Sequence, residues 1–248
     1  MKTIYILWLR QIKRYMRSRA RIIGSLGQPL LFLIALGFGF GPVYQKAGGG
    51  NYLAFLVPGI VAMSVIFTAI FSGIEIIWDK QFGFLKETLV APVSRLNIMI
   101  GRTFGGATVA TMQGLVVLLI SFLLGFRIDN WLLFPLALLF MILIALLFTA
   151  MGTALASVLS DMQGFQLIIN FLVMPLFFLS GALFPLDNLP TAIKIATRID
   201  PLTYGVDGLR GALISSAHIG MTIDLLVLSL ITVFFVVLGS YLFKRIEI

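Results

Sequence analysis

Six long apolar stretches dominate the pattern of hydrophobic and polar positions along the chain. They lie at 22–41, 53–77, 98–125, 132–158, 166–184 and 222–243, and a helix needs about 20 residues to cross a hydrocarbon core about 30 Å thick. Because backbone groups find no water in lipid, each stretch is expected to be a helix. The pattern predicts an all-α integral membrane protein with six transmembrane helices, organised as a single domain over residues 1–248.

The residues before the first apolar stretch predict an amphipathic helix over 1–21. Its basic stripe holds Arg10, Lys13, Arg14, Arg17 and Arg21, and its apolar face holds Ile4, Trp8, Ile12 and Tyr15. Such a helix lies in the membrane interface, with its basic side toward anionic headgroups. The alternative is a tail whose charges only set the orientation of the protein.

The connection at 78–97 predicts a short amphipathic helix near 84–91. Its apolar face holds Phe82, Leu85 and Leu89, and its polar face holds Lys86 and Glu87. Pro92 ends it, because proline lacks the N–H that continues a helix. An amphipathic helix outside the bilayer needs a surface to pack on, which is either a partner protein or the chain's own basic helix.

The connection at 185–218 is too apolar for a free loop. Residues 191–199 can form a helix, and Asp200 as an N-cap followed by Pro201 predicts the start of a second one. Asp207 and Arg210 are three residues apart, so they can pair where isolated charges would be costly in lipid. We expect a re-entrant helix pair that dips into the outer leaflet.

Two spans carry stripes that face inward. In the second span the stripe is polar and holds Ser64, Thr68, Ser72, Glu75 and Asp79. It either lines a translocation path or holds helices together by hydrogen bonds, and Glu75 has Asp79, Lys80 and Arg102 as candidate ion partners. In the fifth span the stripe holds Gln166, Asn170, Met174, Phe177 and Gly181. That face suits a large amphipathic ligand, and ordinary packing is the alternative.

Composition excludes a water-soluble enzyme. The 248 residues are 60% hydrophobic and 11% charged, with a mean hydropathy of +1.07. The net charge of +8 could indicate nucleic acid binding, but in a membrane protein the distribution of Lys and Arg records orientation. Thirteen of the 18 Lys and Arg residues lie in the N-terminal segment, in the 78–97 connection with its flank, and at the C-terminus. Both termini are therefore predicted to be cytoplasmic.

The sequence lacks the residues that several kinds of chemistry require. There is no cysteine, one histidine, and no phosphate-binding loop of the G-x-x-x-x-G-K-[ST] kind. We expect no bound metal or cofactor and no enzymatic activity of the chain by itself. A self-sufficient secondary transporter or channel is a competing function, although carriers of that kind have mid-membrane charges or inverted repeats. An intramembrane enzyme is a third, and no catalytic constellation supports it.

Three segments resemble the permease subunits of type-2 ABC exporters of the daunorubicin and multidrug-resistance kind. They are FGFLKETLVAPVSR from Phe82, LSGALFPLDNLP from Leu179, and DPLTYGVDGLR from Asp200. The first is similar to that family's G-x-L-E-x-L-x-x-x-P-x-S-R connection, with Lys86 inserted before Glu87. The third is similar to its N-P-x-T-Y-x-x-D-x-x-R segment, with Asp200 in place of the usual Asn.

The resemblance implies an assembly of two permease copies, a homodimer by expectation, and two copies of a separate ATPase that binds ATP and Mg²⁺. It implies an ATPase-coupling helix in 82–92, with Phe82, Gly83, Leu85, Lys86, Glu87, Leu89 and Pro92. It implies a substrate pathway between the second and fifth spans, with Ser64, Thr68, Phe71, Ser72, Asn170, Met174 and Phe177. An external gate would hold Pro185, Asp200, Pro201, Tyr204, Asp207 and Arg210.

The resemblance also implies a cellular location and a class of transported molecule. The protein is expected in the plasma membrane of a bacterial or archaeal cell, exporting a hydrophobic or amphipathic small molecule. Export of a polysaccharide or glycolipid is the alternative, since relatives in such families carry both kinds of cargo.

Overall fold

A computed structural model describes residues 2–46, 50–84, 93–186 and 190–244, and all regular structure within them is helical. The helices are α1 (Lys2–Arg17), α2 (Arg19–Lys46), α3 (Tyr52–Phe71), α4 (Ile74–Gln81), α5 (Arg95–Leu123), α6 (Phe134–Val158), α7 (Met162–Leu179), α8 (Thr191–Ile199), α9 (Pro201–Ile214) and α10 (Met221–Lys244). A 3₁₀ turn, Trp131–Leu133, precedes α6.

The six predicted spans are confirmed as helical segments long and apolar enough to cross a membrane. They are Arg19–Lys46, Tyr52–Gln81, Arg95–Leu123, Trp131–Val158, Met162–Leu179 and Met221–Lys244. The fifth begins and ends earlier than the apolar run suggests. Asp161 caps its start by accepting from the Gly164 N–H at 2.6 Å, and Gly181, with φ of 73°, turns the chain after its end.

Helix α3 lies at the centre of the bundle. It packs against α2, α5, α6 and α9, while α6 also packs against α10. Helices α2, α7 and α10 are peripheral, and large apolar side chains on their outer faces are exposed, including Phe38, Leu167, Phe171 and Phe234. This distribution is typical of a bundle whose outside contacts lipid, where exposed apolar surface has no cost.

Charged side chains gather at one end of the bundle, which we call the basic end. It contains α1, α4, the start of α5 and the end of α10, and Arg95 donates to the Lys244 carbonyl at 2.8 Å. The opposite end carries α8 and α9, and we call it the hairpin end. Helix α1 forms within the predicted segment but ends at Arg17, so that Arg21 lies on α2. The face of α1 with Ile4, Trp8 and Tyr15 packs along α5. Its position at a membrane surface stays a prediction.

Regular α-helical hydrogen bonding in the second span is interrupted at Ser72 and Gly73, between α3 and α4. Glycine is required there because this part of the span lies directly on α6. A Cβ on Gly73 would overlap the Gly152 carbonyl, and a Cβ on Gly152 would overlap the Ile70 carbonyl. Two helices that approach backbone to backbone in this way fix the angle of α4 against α6.

At the hairpin end, α9 is buried inside the bundle and α8 lies outside it. Gly205 faces Ile144 and Gly208 faces the Phe140 ring, which places this part of α9 about 9–15 Å along α6 from its start. In α8, Thr197 is buried whereas Ile195 and Ile199 are exposed. The two helices of the predicted pair therefore differ in burial, because α9 has glycines that allow close approach and α8 has none.

Candidate functional site

Helix α4 is held by a buried salt bridge near its end. Arg102 on α5 donates to the Asp79 carboxylate, and both residues are only 6% exposed. A buried pair of this kind is costly to break, because removing one partner leaves the other charge buried and uncompensated. The contact therefore fixes α4 against α5.

Glu75, at the start of α4, pairs with the N-terminal region rather than with its expected neighbours. Its carboxylate lies 2.9 Å from Arg21 Nη1 on α2 and 3.5 Å from Arg14 Nη1 on α1. Arg14 also lies over the Trp78 ring, 5.7 Å from its centroid. The acidic residue is 3% exposed, so it joins three helices in one buried contact.

Lys80 is bound at the end of α6 instead of pairing with an acid. Its Nζ donates to the carbonyls of Ala156 and Ser157 at 2.8 Å and to that of Leu159 at 3.1 Å. The last carbonyls of a helix have no partner within the helix, and a cation there also meets the negative end of the helix dipole. On the same helix as Lys80, the indole N–H of Trp78 donates to the sulfur of Met162 on α7 at 2.8 Å.

The predicted coupling segment follows α4 directly. Phe82 and Phe84 are 71% and 55% exposed, and Gly83 has φ of 79°, a conformation that favours glycine. The remaining coupling residues that we predicted lie outside the described residues: Leu85, Lys86, Glu87, Leu89 and Pro92. Helix α4, bound to α1, α2, α5, α6 and α7, is thus the element that connects this segment to the bundle.

A cavity of about 370 Å³ lies between the α1–α2 corner and α3. Of the polar stripe on the second span, Ser64 and Thr68 line it, together with Phe71. Ser72, one turn after Thr68 toward the basic end, is not part of the lining and donates to the Ala69 carbonyl at 2.6 Å. The stripe thus has two parts, a cavity wall near mid-span and ion-paired residues, Glu75 and Asp79, toward the basic end.

The opposite wall of this cavity comes from residues that the sequence pattern did not single out as a site. They are Tyr15, Arg21, Gly24, Ser25, Gln28 and Pro29. The Tyr15 hydroxyl donates to Gln113 Oε1 on α5, which holds the ring in place. Amides inside apolar stretches, such as Gln28 and Gln113, were the available signal, since polar groups within a span usually have a functional or a packing reason.

On α7, the predicted fifth-span stripe does not form one face. Phe177 is fully buried and packs edge-on against Phe32 of α2, with ring centroids 6.3 Å apart. Asn170 and Met174 are exposed. The packing interpretation is therefore correct for Phe177, because buried positions on α7 repeat every four residues from Phe165 and include it.

At the hairpin end, the expected ion pair between Asp207 and Arg210 is wrong. Arg210 donates to the Gly181 carbonyl at 2.9 Å and lies over the Phe55 ring, 4.0 Å from its centroid. Burial lowers the pKa of Arg210 to about 10, so it remains a cation at neutral pH. It therefore ties α9 to α3 and to the turn after α7.

Asp207 instead closes the turn that follows α9. Its carboxylate accepts from the backbone N–H of His218 at 3.0 Å and of Ile219 at 2.8 Å. The carboxyl group of Asp224, at the start of α10, lies against that of Asp207. Asp224 is fully buried, and neither of its oxygens has a hydrogen-bond donor among the described residues.

The remaining residues of the predicted gate lie around the start of α9. Asp200 caps that helix by accepting from the Leu202 N–H at 2.8 Å, and Pro201 is its first residue, as predicted. The Tyr204 hydroxyl donates to the Arg198 carbonyl at 2.8 Å, and Pro185 is exposed. Burial raises the pKa of Asp200 to about 7.

Six helices long and apolar enough to cross a membrane, a short helix tied to five others and a buried helix α9 at the hairpin end make up the described bundle. The model of the family described as ABC-2 type transporter matches residues 2–214. The chain belongs to this family. It is accordingly a membrane permease subunit of an ABC transporter.

Individual relatives support the same class. The chain is 31% identical over 208 residues to Nodulation protein J of Rhizobium leguminosarum bv. trifolii, covering 83% of this chain and 76% of the relative. It is 29% identical to Nodulation protein J of Rhizobium meliloti (strain 1021), covering 91% and 86%. It is 28% identical to the Inner membrane transport permease YadH of Escherichia coli (strain K12), covering 82% and 80%.

Proposed function

We propose that this chain is the permease of an ATP-driven exporter, in which movement of segment 82–92 reaches the transport pathway through α4. The observation that carries the proposal is the set of buried contacts on α4. Glu75, Asp79 and Lys80 each bind a different neighbouring helix. A force applied to the exposed residues after α4 would move these neighbours together, because each contact joins α4 directly to another helix.

A separate ATPase would supply that force. The family to which the chain belongs implies such a partner, and the sequence has no phosphate-binding loop of its own. We propose that the ATPase, present in two copies, holds ATP and Mg²⁺ and receives Leu85 and Leu89 in a groove, with Lys86 and Glu87 at its rim. The exposure of Phe82 at 71% supports this, since a phenyl ring at a membrane boundary favours an apolar contact.

The distribution of Lys and Arg supports an orientation of the protein in the membrane. Because Lys and Arg are retained on the cytoplasmic side of membranes, the basic end with both termini would face the cytoplasm. The hairpin end would then face outward, with Asp200, Tyr204, Asp207 and Arg210 in an external gate. A plasma-membrane location agrees with the inner-membrane designation of the Escherichia coli relative.

A second permease copy would cover the outer face of α7. Asn170 is exposed there beside Leu167, Phe171 and Met174, and an amide that faces lipid alone is unfavourable. An identical copy brings a second Asn170 to the same place, since a two-fold interface is self-complementary. We propose a homodimer on this face.

The cavity between the α1–α2 corner and α3 supports a proposal for the class of cargo. Its lining combines Met63, Phe67 and Phe71 with hydroxyl and amide groups, as sites for amphipathic small molecules do. We propose a hydrophobic or amphipathic small molecule as the substrate. A long polysaccharide is the second candidate, although 370 Å³ is little room for one.

The test is purification of the tagged chain from its native host in mild detergent, followed by mass spectrometry. We expect a stoichiometric ATPase subunit that is lost in Leu89→Asp. Leu132→Asp is the matched control, because Leu132 is 87% exposed at the opposite end of the bundle and its substitution should leave the ATPase bound. A chain that purifies alone, and that transports in liposomes without ATP, would contradict the proposal and favour a secondary transporter or channel.

A further inference from the structure

We infer that one face of α1 binds an anionic phospholipid, whose phosphate contacts four basic side chains and whose acyl chains lie against apolar side chains of the same helix. The basic residues line an open groove, which we call the basic groove, and they are Arg10, Lys13, Arg14 and Arg17. The phospholipid would be a bound component of the protein rather than its cargo, so the site goes beyond the proposed function. Unlike a general attraction to headgroups, it has defined residues.

The four basic residues lie on one side of α1, because they follow the helical spacing i, i+3, i+4 and i+7. Each of them is exposed, and α1 itself contains no acidic residue. Of the four, only Arg14 has an acidic partner among the described residues, Glu75 at 3.5 Å. Like charges three and four residues apart destabilise a helix, so this face lacks a counter-charge that an anion would supply.

The ion pair at Glu75 does not neutralise the basic groove. Its single carboxylate is shared by two guanidinium groups, that of Arg21 at 2.9 Å and that of Arg14 at 3.5 Å. These three groups together carry one net positive charge. Arg14, the more distant partner, also lines the groove, so a phosphate there would supply the missing second counter-charge.

Apolar side chains beside the charges favour a lipid over a soluble anion. Ile6 and Leu9 line the groove together with the basic residues. Tyr5, Ile6 and Met16 are more than half exposed, because a different face of α1 packs along α5. Helices that carry exposed apolar side chains beside Lys and Arg bind to the surface of anionic membranes. An inorganic phosphate would leave these apolar side chains without a contact.

The size and the position of the groove fit a lipid headgroup. Its volume of about 620 Å³ equals that of about 20 water molecules, which accommodates a phosphate with its glycerol. The groove lies on α1, at the basic end. In the proposed orientation this end faces the cytoplasm, and basic pockets on that side of a membrane bind anionic headgroups.

Binding of lipids to the purified chain, measured by native mass spectrometry, tests the inference. The probes are dioleoyl phosphatidylglycerol, which is anionic, dioleoyl phosphatidylcholine, which has the same chains and no net charge, and glycerol phosphate, which has no chains. We expect phosphatidylglycerol to bind about tenfold or more tightly than either of the others. Equal binding of phosphatidylcholine would overturn the role of the basic residues, and equal binding of glycerol phosphate would overturn the lipid in favour of a soluble anion.

A double variant, Lys13→Gln with Arg17→Gln, tests the place. We expect phosphatidylglycerol binding to weaken about 25-fold, since each basic residue near a membrane surface contributes about fivefold. Lys194→Gln with Arg198→Gln is the matched control, because this lysine and arginine are also exposed and four residues apart, on α8 at the hairpin end. Lys13→Arg with Arg17→Lys retains the charge and should retain binding. Equal losses in the groove variant and the control would overturn the site.

Thermal midpoints in nanodiscs give a second readout. A ligand that binds the folded protein stabilises it, so exchanging phosphatidylcholine for phosphatidylglycerol should raise the midpoint of the native chain. The midpoint of the Lys13→Gln, Arg17→Gln variant should rise less. A rise of equal size in both would assign the effect to the bulk membrane and overturn the site.

This inference and the proposed function can fail separately. If the Lys13→Gln, Arg17→Gln variant loses the ATPase and retains its lipid binding, the basic groove belongs to the partner protein and the inference is overturned. Specific lipid binding in a chain that never binds an ATPase would overturn the proposed function and retain the site.

Discussion

The guanidinium of Arg21 lies 2.9 Å from the carboxylate of Glu75, and this contact joins the start of the first membrane-crossing helix to the last helix before segment 82–92. The same arginine lines the cavity between the α1–α2 corner and α3. Movement of α4 would therefore change both the position of α2 and the shape of the cavity wall. The ion pair is a direct physical link between the proposed ATPase contact and the proposed substrate site.

Replacement of Glu75 tests this link. In Glu75→Gln, Arg21 and Arg14 lose their counter-charge, so we expect the thermal midpoint to fall and the ATP hydrolysis of the complex to become uncoupled from transport. Breaking a buried pair costs about 3–5 kcal/mol, and we expect about 1–3 kcal/mol because both arginines are more than a third exposed. Asp129→Asn, at an exposed acid of the hairpin end, is the control. Equal midpoints for the two variants would count against the link.

The backbone contact between α3 and α6 makes a second prediction. In Gly152→Ala, the new methyl group would overlap the Ile70 carbonyl, and overpacking of this kind costs about 1–3 kcal/mol. In Gly24→Ala, the methyl group meets no atom within 4 Å, so the helix gains up to about 1 kcal/mol from alanine's higher propensity. We expect opposite shifts in thermal midpoint. A destabilised Gly24→Ala or an unaffected Gly152→Ala would contradict the close approach.

The cap at Asp200 makes the stability of the protein depend on pH. Its pKa is raised by burial to about 7 from an ordinary 3.8, so the folded protein retains a proton that the unfolded chain loses. The stabilisation that this group contributes is fully present below about pH 4 and decreases as the pH rises toward about 7. Above about pH 7 it no longer changes with pH. The difference corresponds to about 4 kcal/mol at most.

Asp200→Asn removes that dependence. Asparagine caps a helix as well as aspartate does and carries no charge, so we expect the variant to be more stable than the native protein at pH 8. The advantage should shrink toward pH 5. Thermal midpoints measured across this range check it, and an advantage that grows at acidic pH would contradict the assignment.

Replacement by asparagine should affect the two acids at the hairpin end, Asp207 and Asp224, differently. Asp207 accepts backbone hydrogen bonds from His218 and Ile219, whereas neither oxygen of Asp224 has a donor among the described residues. Asp224→Asn should therefore be tolerated, while Asp207→Asn should lower the thermal midpoint, because an amide nitrogen cannot accept these hydrogen bonds. Exchanging Asp207 and Arg210 should not restore function, since the two bind different partners. Rescue by that exchange would restore the ion-pair interpretation.

The sequence predicted the spans because burial in lipid demands apolar length, and the caps at Asp200 and Pro201 because these depend on local chemistry. It did not predict partners far apart along the chain. Spacing along the chain offers Glu75 only its near neighbours, whereas its partners Arg14 and Arg21 reach it only after α1 and α2 fold back. Helical spacing leaves both a ligand face and ordinary packing open for Phe177, because it does not say which neighbour, here Phe32, covers a side chain.

The most direct test is a distance measurement at the hairpin end while the ATPase binds nucleotide. The chain has no cysteine, so Leu132→Cys and Ile199→Cys, exposed at 87% and 74%, accept spin labels uniquely. Double electron–electron resonance then reports the distance between α8 and the 3₁₀ turn. The labelled chain is diluted with unlabelled copies, so that each complex carries one labelled chain. We predict that a non-hydrolysable ATP analogue shifts this distance and that Glu75→Gln abolishes the shift with the ATPase still bound. A distance that nucleotide does not change in an active complex would contradict the account.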